Sequence, residues 1–272
     1  MSPRRNAGFT MVELVMVIVI AGILGVGVTS FVTQSVSGYV DTARRQSLAE
    51  TGLVASEKIT RELRAALPGS IRVFAGMTGQ CLEFIPIRAG STYETAPITP
   101  DPAATSLVAV PVGQETTGYL VINPQAAANL YAGGTPGVRT EDLATLPAGA
   151  GPVTVSWSNP HQFSSDAPTQ RFFLVGQPIA YCQAGDRLFR YSDYGFEASA
   201  ANVPAKLPTA VPRRSLLLDR LATGPGNALT WTRQAGSAHH NEFVRVSFSL
   251  VDSRAPNEVV RVEQEVQLRN VR

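Results

Sequence analysis

The sequence predicts an α+β protein: one long N-terminal helix, membrane-spanning in its first half, packed on an antiparallel β-sheet. Three observations carry this. Leu14 to Val40 runs without a charged side chain, longer than the roughly 20 residues a helix needs to cross a bilayer. From Leu48 to Leu67 apolar residues recur at helical spacing, as on a helix that covers something. Near the C-terminus Val244, Val246, Phe248 and Leu250 alternate with Arg245, Ser247 and Ser249, the mark of a strand with one face buried. Composition agrees. Charged residues make up 16% of the 272, below the roughly 25% usual for soluble proteins. The 23 glycines and 19 prolines point to turns and short strands. Basic and acidic residues number 23 and 21, so charge makes no case for a nucleic-acid or acidic partner.

The N-terminal segment comes first in the chain. Arg4 and Arg5 precede it, and Glu13 is its one early charge. A carboxylate at the mouth of an apolar segment costs several kcal/mol unless something neutralises it. A secretory signal peptide does not fit, because no A-x-A site follows and the apolar run exceeds the roughly 7–15 residues typical there. An ordinary single-pass anchor would be oriented by Arg4 and Arg5 with the N-terminus inside, but Arg44 and Arg45 beyond the span blunt that argument. Neither reading explains Glu13.

After Val40 the pattern turns amphipathic without a break. Leu48, Gly52, Ala55, Ile59, Leu63, Ala66 and Leu67 fall on about a third of the helix circumference, with Glu50, Glu57, Arg61 and Arg64 opposite. Glu57–Arg61 and Lys58–Glu62 are expected as i,i+4 pairs, and Pro68-Gly69 as the stop. Residues 9–67 then form one helix of roughly 90 Å; an anchor and a separate helix meeting near Gly38 would use the same residues. Gly22, Gly25 and Gly27 suit either close helix packing in the bilayer or local unwinding on leaving it.

Beyond residue 70 the chain reads as strands. Cys81–Ile87, Ser106–Val112, Tyr119–Ile122, Val153–Trp157, Arg171–Val175, Ile179–Cys182 and Arg187–Tyr191 are short runs bounded by turn residues. Residues 124–152 and 197–214 read as loops. The last two strands form a hairpin with its turn at Asp252 to Asn257, and Val260, Val262, Val266 and Leu268 give the second strand its buried face. The helix stripe is a suitable cover for it.

Gly8-Phe9-Thr10-Met11-Val12-Glu13-Leu14, with its basic leader and apolar sequel, resembles the type IV prepilin family. The resemblance implies that prepilin peptidase cuts between Gly8 and Phe9, that the new Phe9 amine is N-methylated, and that Glu13 pairs with the Phe9 amine of a neighbouring subunit during assembly. A cation supplied by the next chain would remove the cost of the buried carboxylate and fix one register. It also implies partners: other pilins or pseudopilins through the helix, and an inner-membrane assembly platform. The expected organisation is a leader at 1–8, a long helix at 9–67 with 9–40 in membrane or filament core, and a strand-rich periplasmic domain at 68–272. The protein would be single-pass in the inner membrane. Pro178–Cys182, Asp186–Tyr191 and Val266–Val271 resemble, more loosely, the O-type minor prepilin of the mannose-sensitive haemagglutinin (MSHA) pilus. The J-type minor pseudopilin of type II secretion is the competing likeness, and a tip adhesin or DNA receptor a third.

The two cysteines, Cys81 and Cys182, allow one intramolecular pair. Outside the cytoplasm a disulfide is expected, worth roughly 4–5 kcal/mol for a loop of about 100 residues; two buried thiols are the alternative. No enzyme is expected, for G-x-S-x-G, H-E-x-x-H and P-loop patterns are missing from the sequence. No metal or other cofactor is expected. His161, His239 and His240 sit in polar or loop-like sequence, and no acidic loop offers calcium three close carboxylates. Arg213, Arg214, Arg220 and Arg233 with Trp231 could form a basic aromatic patch for single strands; a solvated loop and a core tryptophan are the plainer reading.

Overall fold

The computed structural model describes residue 8 and residues 10–236 and 241–268. The chain divides into two compact units, Met1–Leu48 and Ala49–Arg272. Helix α1 (Met11–Arg64) is continuous through Gly38 and belongs partly to each.

In the first unit α1 is exposed from Met11 to Val40. Several of its hydroxyls bond the helix itself: Thr29 donates to the Gly25 carbonyl (2.8 Å), Thr33 to Thr29 (2.8 Å) and Ser35 to Phe31 (2.9 Å). A polar side chain that bonds its own helix removes a desolvation cost that lipid would otherwise impose. One helix among the described residues is long and apolar enough to cross a membrane, and it is this one.

The second unit holds the rest of α1 and three β-structures. A five-stranded antiparallel sheet runs in the order β1 (Arg72–Ala75), β2 (Gln80–Phe84), β9 (Ile179–Ala184), β10 (Arg187–Tyr191), β11 (Arg214–Leu218). A three-stranded sheet follows as β12 (Thr230–Gln234), β13 (Phe243–Asp252), β14 (Ala255–Gln267). The remaining six strands, β3 (Ile87–Thr95), β4 (Ala104–Ala109), β5 (Thr116–Ile122), β6 (Arg139–Leu146), β7 (Val153–His161) and β8 (Arg171–Val175), close into a barrel in the order β3-β4-β7-β6-β5-β8. The α+β class holds, and the helix followed by antiparallel sheets is as expected; the closed barrel is not. Its interior is filled by Tyr93, Leu120, Leu146, Trp157, Phe163 and Phe172 among others.

The helix stripe is buried at Gly52, Ala55, Ile59 and Leu63. Gly52 lies on the hairpin: a Cβ there would stand 2.8 Å from Val262 Cγ2 and 3.3 Å from Leu250 Cδ1. The helix therefore covers the face expected of it. It ends at Arg64, a turn before Pro68, and Gly69 takes φ +78° to reverse the chain. Among the described residues neither the expected Glu57–Arg61 pair nor the Lys58–Glu62 pair is made; Glu62 turns to the sheet instead.

Three further corrections concern the strands. The run Cys81–Ile87 breaks at Pro86, which has no N–H for the ladder. Here Leu67 N–H donates to the Ile85 carbonyl (2.8 Å) and Ile87 N–H to Ala65 (2.8 Å). The helix end thus takes over from a strand neighbour, and the chain passes from sheet to barrel. The stretch 124–152 contains α2 (Ala127–Tyr131) and β6, and 197–214 contains α3 (Val203–Lys206) and the first residue of β11. The hairpin turn is Ser253-Arg254, tightened by Arg254 N–H on Asp252 Oδ1 (2.9 Å).

Candidate functional site

The head of α1 is the first part of the site. Thr10 is its N-cap: Glu13 N–H donates to Thr10 Oγ1 (3.2 Å) and Thr10 O (3.1 Å). Thr-x-x-Glu is the capping-box pattern, and a carboxylate in the first turn also meets the positive end of the helix dipole. Thr10 thus has a local structural role that the reading of the motif overlooked, although the spacing of Thr10 and Glu13 is its signal. Gly8 and Glu13 are exposed. Among the described residues the Glu13 carboxylate makes no ion pair. Phe9 lies outside the described residues. Gly22, Gly25 and Gly27 have open space where a Cβ would stand, so any close packing they allow is with another chain.

The other end of α1 is held by the β9–β10 hairpin. Tyr181 Oη donates to Glu62 Oε2 (2.8 Å), and Arg190 Nε lies 2.9 Å from the same oxygen. Burial pushes the Tyr181 hydroxyl well up, with the Glu62 charge adding to it, so it stays a donor. Tyr181 stacks between Phe84 and Trp231 at ring distances of 6.1 and 6.2 Å.

On the opposite face of the five-stranded sheet Cys81 and Cys182, directly opposed on β2 and β9, form a disulfide with Cα atoms 4.2 Å apart. Tyr191, Phe74 and Leu207 pack around it. Beside it lies a charged group that sequence reasoning missed. Glu83, fully buried, pairs with Arg72 across the β1–β2 ladder and accepts Tyr194 Oη at 2.6 Å. Arg72 lies 3.6 Å over the Tyr131 ring and donates to the Glu197 (2.6 Å) and Ala198 (3.0 Å) carbonyls. Burial raises the Glu83 carboxyl above its ordinary value, and the bonds from Arg72 and Tyr194 work against that.

Of the residues considered for nucleic acid, Arg213 is exposed and the other four are engaged within the fold. Trp231 is core. Arg214 stacks 3.7 Å over Phe189, Arg220 lies 3.7 Å from Asp252, and Arg233 bonds Glu242 at 2.5 Å. His161, expected in loop-like surroundings, is buried at the end of β7 against Phe163 (4.7 Å); burial lowers its pKa. His239 and His240 lie outside the described residues. Among the described residues no group of His, Cys, Asp and Glu could hold a metal.

Cap, exposed apolar helix and strand-rich unit define a class: an α+β protein with a long N-terminal helix apolar enough to cross a membrane. Residues 3–29 match the family of the prokaryotic N-terminal methylation motif, which marks this N-terminal stretch as type IV prepilin-like. That match covers the basic leader and the first part of α1. Comparison with curated proteins found no match, and comparison with solved structures found none.

Proposed function

We propose that the protein is a minor pilin-type subunit that primes or caps a type IV filament of the MSHA kind. The observation that carries the reading is the Gly8–Leu14 motif at the head of a capped helix whose apolar surface is exposed from Met11 to Val40. In this reading residues 1–8 are a leader removed by prepilin peptidase, Phe9 becomes the methylated N-terminus, and residues 9–40 move from inner membrane to filament core. Residues 68–272 form the periplasmic domain, and other pilins and the inner-membrane assembly platform are the partners. Glu13 has no ion-pair partner in its own chain among the described residues, as suits a carboxylate awaiting the Phe9 amine of a neighbour.

The MSHA assignment leans on Pro178–Cys182, Asp186–Tyr191 and Val266–Val271, the last lying outside the described residues beyond Leu268. The first two form the β9–β10 hairpin that supplies Tyr181 and Arg190 to Glu62 and Cys182 to the disulfide. The role is structural, not catalytic. Mass spectrometry of the mature protein tests the processing: a chain beginning at methylated Phe9 is expected, and one retaining Met1 would overturn it. Neighbouring genes test the system. Prepilin-like frames beside an assembly ATPase and a lectin-like pilin are expected, whereas a secretion cluster would make it the J-type pseudopilin.

A further inference from the structure

We propose that His161 is an acid-released latch, and that protonating it lifts loop 133–137 from one end of the barrel. His161 is the last residue of β7 and only 4% exposed. Its ring meets Phe163 edge to face, and the loop closes over it: a Cβ on Gly137 would stand 3.4 Å from His161 Cε1. Three hydrogen bonds pin the loop to the residues just after the histidine. Gly137 N–H donates to the Gln162 carbonyl (2.9 Å), Ser164 N–H to the Gly137 carbonyl (3.0 Å) and Gln162 N–H to Thr135 Oγ1 (2.9 Å).

Under this cover His161 Nε2 is buried and has no hydrogen-bond partner. A neutral imidazole can leave one nitrogen idle, whereas an imidazolium donates from both and carries a charge. A buried charge without a partner is costly. The charges acting on the ring are Glu141 and Arg139, both on β6 and of opposite sign. Glu141 is exposed and already accepts Gly134 N–H at 2.7 Å; Arg139 repels a second cation. β4, paired with His161 at Ala104, brings no charged side chain, and residues 133–137 and 162–164 bring none. The closed site therefore resists the proton. Burial holds the His161 pKa below its ordinary value, against the pull of the Gly137 carbonyl and Glu141.

Release can be local. Ala104–His161 is the terminal pair of the β4–β7 ladder, set apart from the next pair by a register shift, so the ring can leave with the rest of the ladder paired. Gly134 takes φ +118°, a joint that suits glycine. The sign with pH follows. The covered pKa lies below the open one, which is near 6.5, so closure is fully present above that value and is lost as pH falls through it. Among the described residues His161 is the one histidine, the side-chain type that titrates in this range. The latch does not rest on the filament reading.

The test is hydrogen–deuterium exchange of the purified full-length chain in detergent micelles from pH 7.5 to 5.5, corrected for the intrinsic pH dependence of exchange. Protection of peptides covering 133–138 and 161–164 should fall about tenfold between pH 6.5 and 5.5, while peptides from β13 and β14 keep theirs. His161→Leu and His161→Gln should each abolish that fall, whatever they do to protection at pH 7.5. A histidine that only packs would leave the wild-type protection flat across this range, and that result would overturn the proposal. A fall spread evenly over the whole barrel, or one that both variants retain, would overturn it too.

Discussion

Arg72→Met should be among the most damaging single changes in the strand-rich unit, and its effect should depend on pH. Glu83 has no exposed surface and holds its charge on two partners, Arg72 and Tyr194. Methionine keeps much of the arginine's bulk but leaves Glu83 buried with Tyr194 alone. Breaking a buried ion pair from one side costs about 3–5 kcal/mol, and loss of the guanidinium over Tyr131 adds about 1–2 kcal/mol. At about 2–4 °C per kcal/mol for a unit of this size, the melting temperature should fall by roughly 8–28 °C at pH 7. The sign with pH follows from the carboxyl. Burial raises the folded pKa of Glu83 above its unfolded value, so its contribution to stability is fully present below the unfolded pKa and is lost as pH rises through the folded one. Removing the cation raises that folded pKa further. The gap between wild type and Arg72→Met should therefore narrow as pH falls from 7 toward 4.5. Thermal unfolding followed by circular dichroism at both pH values measures it, with Arg72→Met/Glu83→Gln as the companion. The double variant should lose less than the single one at pH 7. A single variant within about 1 kcal/mol of wild type, or a gap unchanged by pH, would refute the reasoning.

Gly52→Val should destabilise by about 1–3 kcal/mol despite valine's better helix propensity, because its Cβ meets a stiff Val262 methyl at 2.8 Å; chemical denaturation measures it. Replacing both Cys81 and Cys182 by serine should cost about 4–5 kcal/mol for a bridge spanning 101 residues, seen as an earlier unfolding midpoint that added reductant no longer moves. Thr10→Ala should cost about 1 kcal/mol of helix start, seen as faster amide exchange over the first turn of α1 with the strand-rich unit unchanged.

The helix and the hairpin were legible because each has a period and one buried face. Ile59 and Leu63 lie where the stripe put them, and Val244 to Phe248 alternate as written, the pattern breaking at Ser249, which is buried beside Leu250. The barrel was not legible, and β6 shows why. Two of its buried positions hold Thr140 and Ala144 rather than large apolar groups, and Thr140 is there to accept Leu120 N–H at 2.9 Å. β3 carries one large buried residue, Tyr93, in Ile87–Thr95. Closure also depends on pairing β5 with β8, far apart in sequence, which no local pattern records. At the N-terminus Glu13 was singled out from its charge alone, while Thr10 was passed over, because a cap is read from spacing and not from hydropathy. The Arg72–Glu83 pair joins two strands, of which β1 was not foreseen.

The central claim is that Glu13, exposed at the head of α1, finds its cation on another chain. The direct measurement is the amount of Glu13→Ala protein in sheared filaments, relative to wild type, at equal expression and with leader removal checked by mass. The account predicts normal removal of residues 1–8 and loss of the variant from the filament fraction. Processed Glu13→Ala protein incorporated at the wild-type level would contradict it.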